Sequence, residues 1–309
     1  MAWYLTISKL LFQSYLIKII LTGKLLNMNL FDKKSFLLLF VMGGFFLGKG
    51  FAQTYKPAED AVKRPVFEWP EGKKMGLCLT FDDARLSQAD KGIPLLDKYG
   101  VKGTFYVSVN SMFQRIEKWR AAVMNGHEVG NHSLVHPCTG NFSWTAGREL
   151  ENYTLDRMEE ELRSASQIIK DSLGIEAVSF AYPCGQTFVG KGLNTKSYVP
   201  VVASLFESGR GWLDEGPNDP SFCDMAQLTG MELDGKSFDD IKKLIDAAKS
   251  TGKWLILAGH EMNVSGNQTS LLATLEAICA YATDPANEIW IDNVHNIASY
   301  ILEKRNEIP

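Results

Sequence analysis

The stretch Lys74–Asp83, KMGLCLTFDD, decides the fold. From Met75 to Phe81 it is apolar or small apart from Thr80, and it ends in two aspartates. A run without polar alternation reads as a strand covered on both faces, as in a parallel sheet flanked by helices. The rest of the chain repeats that theme. SQADKGIPLLDKYG reads as a helix ending at Gly100, KGTFYVSV as a strand, QRIEKWRAAVMNG as a helix stopped by Gly126, and HEVGNHS as a short strand. TLDRMEEELRSASQIIKDSLG reads as a helix with Thr154 as its cap, and EAVSFAYPCG as a strand ending in a turn. YVPVVASLF reads as a strand or a strand–helix mix. SFDDIKKLIDAAKSTG is a helix capped by Ser237, and KWLILAGHEM a buried strand. SLLATLEAICAYATD, EIWIDNV and NIASYILEK follow as helix, strand and helix. This alternation predicts an α/β fold: a distorted parallel β/α barrel of about seven βα units in a single catalytic domain, with an open doubly wound sheet as the alternative. Pro137–Tyr153 and Ser208–Met225 read as long loops, of the kind that often bind ligands.

The first 52 residues have another character. Within residues 28–52, Lys33 and Lys34 precede an apolar run from Phe36 to Leu47 and then Gly50-Phe51-Ala52, the order of a secretory signal peptide. Met28 therefore reads as the start, and residues 1–27 as an over-extended N-terminus, with an uncleaved anchor as the alternative. Residues 53–66 read as a leader and 67–309 as the domain. The expected location is secreted or periplasmic, with no stable membrane association after cleavage. Six of the 32 basic and one of the 36 acidic residues lie in the first 52, so residues 53–309 carry a formal charge of −9. Nucleic acid is thereby disfavoured as a partner, because phosphate binding needs a basic face. The expected protein is a monomer. Its five cysteines form no C-x-x-C pair; Cys78 and Cys279 read as buried, and Cys138 or Cys184 can enter a disulfide that spacing does not identify.

The residues able to do chemistry stand just after apolar runs. Asp82 and Asp83 follow GLCLTF, His132 and His136 follow HEVGN, and His260 follows WLILAG. In parallel β/α folds the carboxyl ends of the strands form one rim, so these groups converge. Two histidines and one aspartate make a catalytic metal set, the second aspartate can serve as base, and His260 as acid. Each feature alone has a bland reading: a solvated turn for the aspartates, a hydrogen-bonded structural residue for the lone histidine. Their joint placement favours a site.

At TFDDA (80–84), HSLVH (132–136), AYPCG (181–185) and LAGH (257–260), the chain resembles the polysaccharide deacetylases, the NodB-homology or family-four carbohydrate esterases, over about residues 70–305. The resemblance implies a secreted hydrolase that removes acetyl groups from N- or O-acetylated poly- or oligosaccharide with a divalent metal, most simply Zn²⁺. It makes Asp82 the base, His260 the acid, and Asp83, His132 and His136 the metal ligands. A water at the metal attacks the acetyl carbonyl, and the backbone N–H of Cys184 steadies the oxyanion. Tyr182, Cys184, Arg210 and Trp212 are assigned to the substrate side.

The chain departs from the family pattern at three places. The third motif usually opens with an arginine that orients the base; here it opens with Ala181, and Arg210 in SGRGW is the proposed replacement. The fourth motif is indistinct: Trp212 is its tryptophan, and Asp214, Asp219 and Asp224 are all open as its acid. Ala258 takes the place of a leucine and is expected to widen the pocket floor. Phe142, Trp144 and Tyr153 are candidates for stacking on sugar rings. The competing functions are a same-fold hydrolase of a non-sugar amide and a non-catalytic carbohydrate-binding relative.

Overall fold

A computed structural model describes residues 67–306, within one compact unit that spans Arg64–Pro309. The expectations for residues 1–27, 28–52 and 53–66 lie outside the described residues. Eight strands form one sheet: β1 (Met75–Asp82), β2 (Thr104–Val107), β3 (Glu128–Asn131), β4 (Ser179–Ala181), β5 (Ser208–Arg210), β6 (Met231–Glu232), β7 (Trp254–Gly259) and β8 (Ile289–Ile291). Their order is β5-β4-β3-β2-β1-β7-β6, and every pairing in it is parallel. Leu228, just ahead of β6, bridges back to Arg210 of β5 and brings the sheet edges together. The ring is uneven because β8 pairs with Met75–Leu77 while β2 pairs with Thr80–Asp82, so two strands share one edge of β1. This is the distorted parallel barrel expected from the sequence.

All eight residues of β1 are buried, as a central parallel strand requires. The connecting helices form where the sequence supplies caps. The Thr154 hydroxyl accepts from Arg157 N at 3.2 Å and starts α1 (Leu155–Leu173); Gly174, with φ +74°, ends it. Ser237 caps α2 (Phe238–Thr251) through Asp240 N at 3.3 Å. Among the described residues, no helix is long and apolar enough to cross a membrane.

Two expectations fail. Val199–Leu205 is a helix, because Pro200 fits the first helical turn and Tyr198–Val202 closes it. Ser208–Met225 is not wholly a loop, since it opens with β5, and β6 also escaped notice. Both are short and carry no apolar run, so periodicity had nothing to register.

The barrel interior explains how a polar site is held. Register pairs Asp82 with Tyr106, Tyr106 with Gly130, and Ala181 with Arg210. Small residues at Gly130 and Ala181 leave room inside the ring for the Tyr106 ring and the Arg210 side chain. A Cβ on Gly130 would stand 2.6 Å from the Ser179 hydroxyl and from the Tyr106 ring. Gly130→Ala is therefore expected to overpack the interior and cost about 1–3 kcal/mol, read as a lower urea midpoint at unchanged slope.

Candidate active site

The carboxyl ends of β1, β3, β4, β5 and β7 surround one cavity of about 640 Å³, lined by Asp82, Asp83, His132, His136, Tyr182, Cys184, Trp212 and His260 among others. The chain thus brings together Asp82 and His260, 178 positions apart, as the shared rim predicts. Backbone geometry aims them: Asp83, Ala84, Ser133, His136 and Cys184 all have positive φ, a conformation non-glycine residues rarely adopt away from functional turns.

The Asp83 Oδ1 lies 3.6 Å from His132 Nε2 and 3.5 Å from His136 Nε2. His132 Nδ1 is 2.9 Å from the Ala181 carbonyl, which accepts only a proton-bearing nitrogen, so Nε2 presents its lone pair. Burial and the neighbouring His132 hold the His136 pKa down at about 4, which keeps that ring neutral. Burial pushes the Asp83 carboxyl up, but His132, His136, Arg85 and His260 outweigh it and hold its pKa at about 2. One carboxylate and two imidazoles whose Nε2 atoms face it suit a divalent cation of borderline softness. A second cluster, His136 with Cys138 and Cys184, is not available to a metal, because the two sulfurs are bonded to each other. That disulfide ties the loop after His136 to the turn after β4.

Asp82 is buried and paired with Arg210, whose Nη2 donates to its Oδ1. The guanidinium lies 4.9 Å from the centre of the Tyr106 ring. Arg210 therefore stands where the sequence reading put it, against the base, and Ala181 is its direct neighbour in the sheet. Its assignment to the substrate side is corrected: it is fully buried and does not line the cavity.

Behind His260, the acid is Asp234. Its Oδ2 lies 2.7 Å from His260 Nδ1, and its Oδ1 accepts from His260 N at 3.1 Å and from the Ser270 hydroxyl at 2.8 Å. Burial alone would push the His260 imidazole down; Asp234, Asp82 and Asp83 outweigh it and raise its pKa above the ordinary value. None of the three acids considered from sequence takes this place. Asp214 accepts from Gly230 N, Asp219 pairs with Lys253, and Asp224 caps a short helical turn. Asp234 follows β6 by two residues, as Asp83 follows β1 closely, but recognising that required seeing β6. Trp212 does stand at His260, ring centres 4.8 Å apart and edge to face.

Phe142 and Trp144 line the cavity and are half exposed, whereas Tyr153 is buried with its hydroxyl donated to Glu161 at 2.7 Å, so it does not present a face to ligand. Ala258 is fully buried away from the cavity and does not widen its floor. Cys78 and Cys279 are buried free thiols, as expected.

Residues 70–196 match the family model described as polysaccharide deacetylase. That match covers less than half of the chain. The peptidoglycan-N-acetylglucosamine deacetylase of Listeria monocytogenes is 36% identical over 87 residues, 28% of this chain and 18% of that protein. The chain spans less than half the length of the curated relatives it matches: 27%, 10% and 42% of three of them. A Mycobacterium smegmatis structure assigned to the polysaccharide deacetylases aligns over 80% of this chain and 96% of its own, with TM-score 0.58 and 15% identity. The allantoinase Puue aligns over 81% and 97%, with TM-score 0.56 and 14% identity. At such identities the likeness is one of fold alone.

Removing one member of the Asp82–Arg210 pair strands the other in the interior. Arg210→Met is expected to cost about 3–5 kcal/mol in urea unfolding, and Asp82→Asn added to it to return most of that loss. Simple additivity of the two changes would show that the pair is not coupled.

Proposed function

We propose that this protein is an exported, metal-dependent hydrolase that removes acetyl groups from N- or O-acetylated carbohydrate. The observation that carries the reading is a single cavity faced by a His–His–Asp donor set, a carboxylate gripped by a buried arginine, and an imidazole backed by a buried carboxylate. Asp83, His132 and His136 would hold the metal, and zinc is the first ion to test. When bound, such a cation supplies charge that acidifies water and offsets the negative charge growing on the acetyl oxygen.

The protein's own groups divide the proton work. Arg210 holds Oδ1 of Asp82, so Oδ2 is the oxygen that takes the proton from the attacking water. The Asp234 carboxylate fixes Nδ1 of His260 as the protonated nitrogen and leaves Nε2 to deliver a proton to the departing amine or alcohol. The raised pKa of His260 favours the acid form this step needs. The Cys184 backbone N–H, fixed by the disulfide turn, is the donor assigned to the oxyanion.

The Listeria relative's name supports N-acetylated glycan as the first substrate to try. Export belongs to the same proposal. Its support is the basic, apolar and small-residue order of residues 28–52 together with the Cys138–Cys184 disulfide, which persists in oxidising compartments.

The test is acetate release by the zinc-loaded protein from N- and O-acetylated glycans, with Asp82→Asn and His260→Ala alongside. Acetate should appear with the unaltered protein, vanish with Asp82→Asn, and fall by roughly 10²–10⁴-fold in kcat with His260→Ala. Exhaustive chelation should abolish release, and zinc should restore it. Ammonia from small amides, with no acetate from any glycan, would replace the sugar reading with the non-sugar one.

A further inference from the structure

Shortly after β1 the chain makes a single π-helical turn, Gln88–Gly92, and the side chain that opens it is turned into the protein. Gln88 is fully buried and does not line the cavity. Its amide nitrogen donates to the backbone carbonyl of Asp82 at 2.6 Å and to that of His260 at 2.8 Å. An amide nitrogen carries two N–H groups, and here each carbonyl takes one. The two residues so joined are the base and the acid of the proposed reaction.

The joint lies where the sheet itself stops holding them. β1 and β7 pair residue for residue from Gly76 with Trp254 to Phe81 with Gly259, and β7 ends there. The same register brings Asp82 level with His260 one step beyond the last pair. Arg210 holds the Asp82 side chain and Asp234 holds that of His260. Neither contact sets the distance between base and acid. Gln88 does, through one planar amide.

The segment around Gln88 is fastened to match. Ser87 Oγ accepts from Met262 N at 2.9 Å and donates to a Glu261 carboxylate oxygen. Gly92 lies so close to Met262 that a Cβ there would stand 1.9 Å from its sulfur. A π-helical turn holds an extra residue relative to an α-helical one, and such turns are frequent at functional sites. Among the described residues Gln88 Oε1 meets no partner, and a buried acceptor left unpaired costs stability. A residue kept only to fill space would not carry that cost, so the two donors are what the position requires.

We propose that Gln88 is a positioning residue that sets the separation of Asp82 and His260, so that proton uptake by one and proton delivery by the other act on the same substrate pose. Asp83 is fastened separately, by its N–H on the Tyr106 carbonyl at 3.0 Å and by Arg85 on Oδ2 at 2.9 and 3.1 Å. The proposal rests on the roles given above to Asp82 and His260.

The test compares the zinc-loaded full chain with Gln88→Met, which keeps length and bulk and removes both donors, with and without His260→Ala. A cooperative urea transition establishes that each variant is folded. Gln88→Glu, of the same shape but with at most one donor, replaces Gln88→Met should that variant not fold, and the same outcomes apply. In acetate release, kcat should fall by roughly 10–10²-fold at unchanged KM, since a displacement on the order of 1 Å suffices for such a loss. Zinc affinity by calorimetry should match that of the unaltered protein, because the donor set is fastened elsewhere. On the His260→Ala background the same change should cost little, because no acid is left to align. Unchanged kcat, a loss that multiplies fully with that of His260→Ala, or a parallel loss of zinc affinity would overturn the proposal while leaving the deacetylase reading intact. If the unaltered protein releases ammonia from amides and no acetate, the sugar reading fails and the same comparison is read on the amide. If it releases neither, the hydrolase reading fails and nitrogen NMR of the imidazoles decides. Gln88→Met should then move the His260 signals and leave those of His127 and His295, which belong to other hydrogen-bonded groups, in place. His260 signals that do not move would overturn the proposal.

Discussion

One buried ion pair organises this site. The Arg210 guanidinium inside the barrel grips the Asp82 carboxylate at the end of β1, and the chain is arranged around that contact. An isolated charge in such an interior costs several kcal/mol, so each partner depends on the other. The neighbours are shaped accordingly. Tyr106 offers its ring to the guanidinium, and Gly130 leaves space for that ring. A Cβ on Gly230 would stand 2.7 Å from Arg210 Cδ, so this glycine keeps the arginine's path clear. Ala181, level with Arg210 on the next strand, leaves the interior to the arginine. Where the family pattern leads one to expect an arginine at 181, the chain places one a strand further along, at the same height.

A second constraint is positional. The donor set spans β1 and the loop after β3, and neither element fixes the His136 ring alone. The Cys138–Cys184 disulfide joins that loop to the turn after β4, and the Ala181 carbonyl of the same strand orients His132. Strand β4 thus serves both imidazoles without contributing a ligand. On the opposite side, Asp234, two residues past β6, holds His260, and the Ser270 hydroxyl, from beyond β7, in turn holds Asp234. Asp82, His132 and His260 are thus each held by a partner from a different part of the sheet, Arg210 of β5, Ala181 of β4 and Asp234 just past β6, which is how short strands can fix polar groups closely.

Much of this was legible because long apolar runs announce their own ends. β1 and β7 are six to eight residues of buried sequence, and the aspartates and histidine after them stood out at once. β5 and β6 are three and two residues long, SGR and ME, and no periodicity argument finds such pieces. Asp234 was missed for that reason: its strand was invisible, so its place at a strand end was too. Arg210 was legible by another route, a vacancy at Ala181 and an arginine beside a tryptophan in a loop-like tract. The disulfide was open from sequence, since spacing carries no information about which loops meet in space. Tyr153 misled because an aromatic residue in a polar loop looks alike whether it faces ligand or, as here, Glu161.

The central claim is that Arg210 does the orienting work of the arginine absent from position 181. The most direct measurement is acetate release by Arg210→Ala and by Arg210→Ala/Ala181→Arg, zinc-loaded and compared with the unaltered protein. Register sets the two positions side by side, so an arginine restored at 181 can reach Asp82 from the next strand. The account predicts a large loss of kcat in the single variant and substantial recovery in the double. Full activity in the single variant at unchanged fold would contradict it.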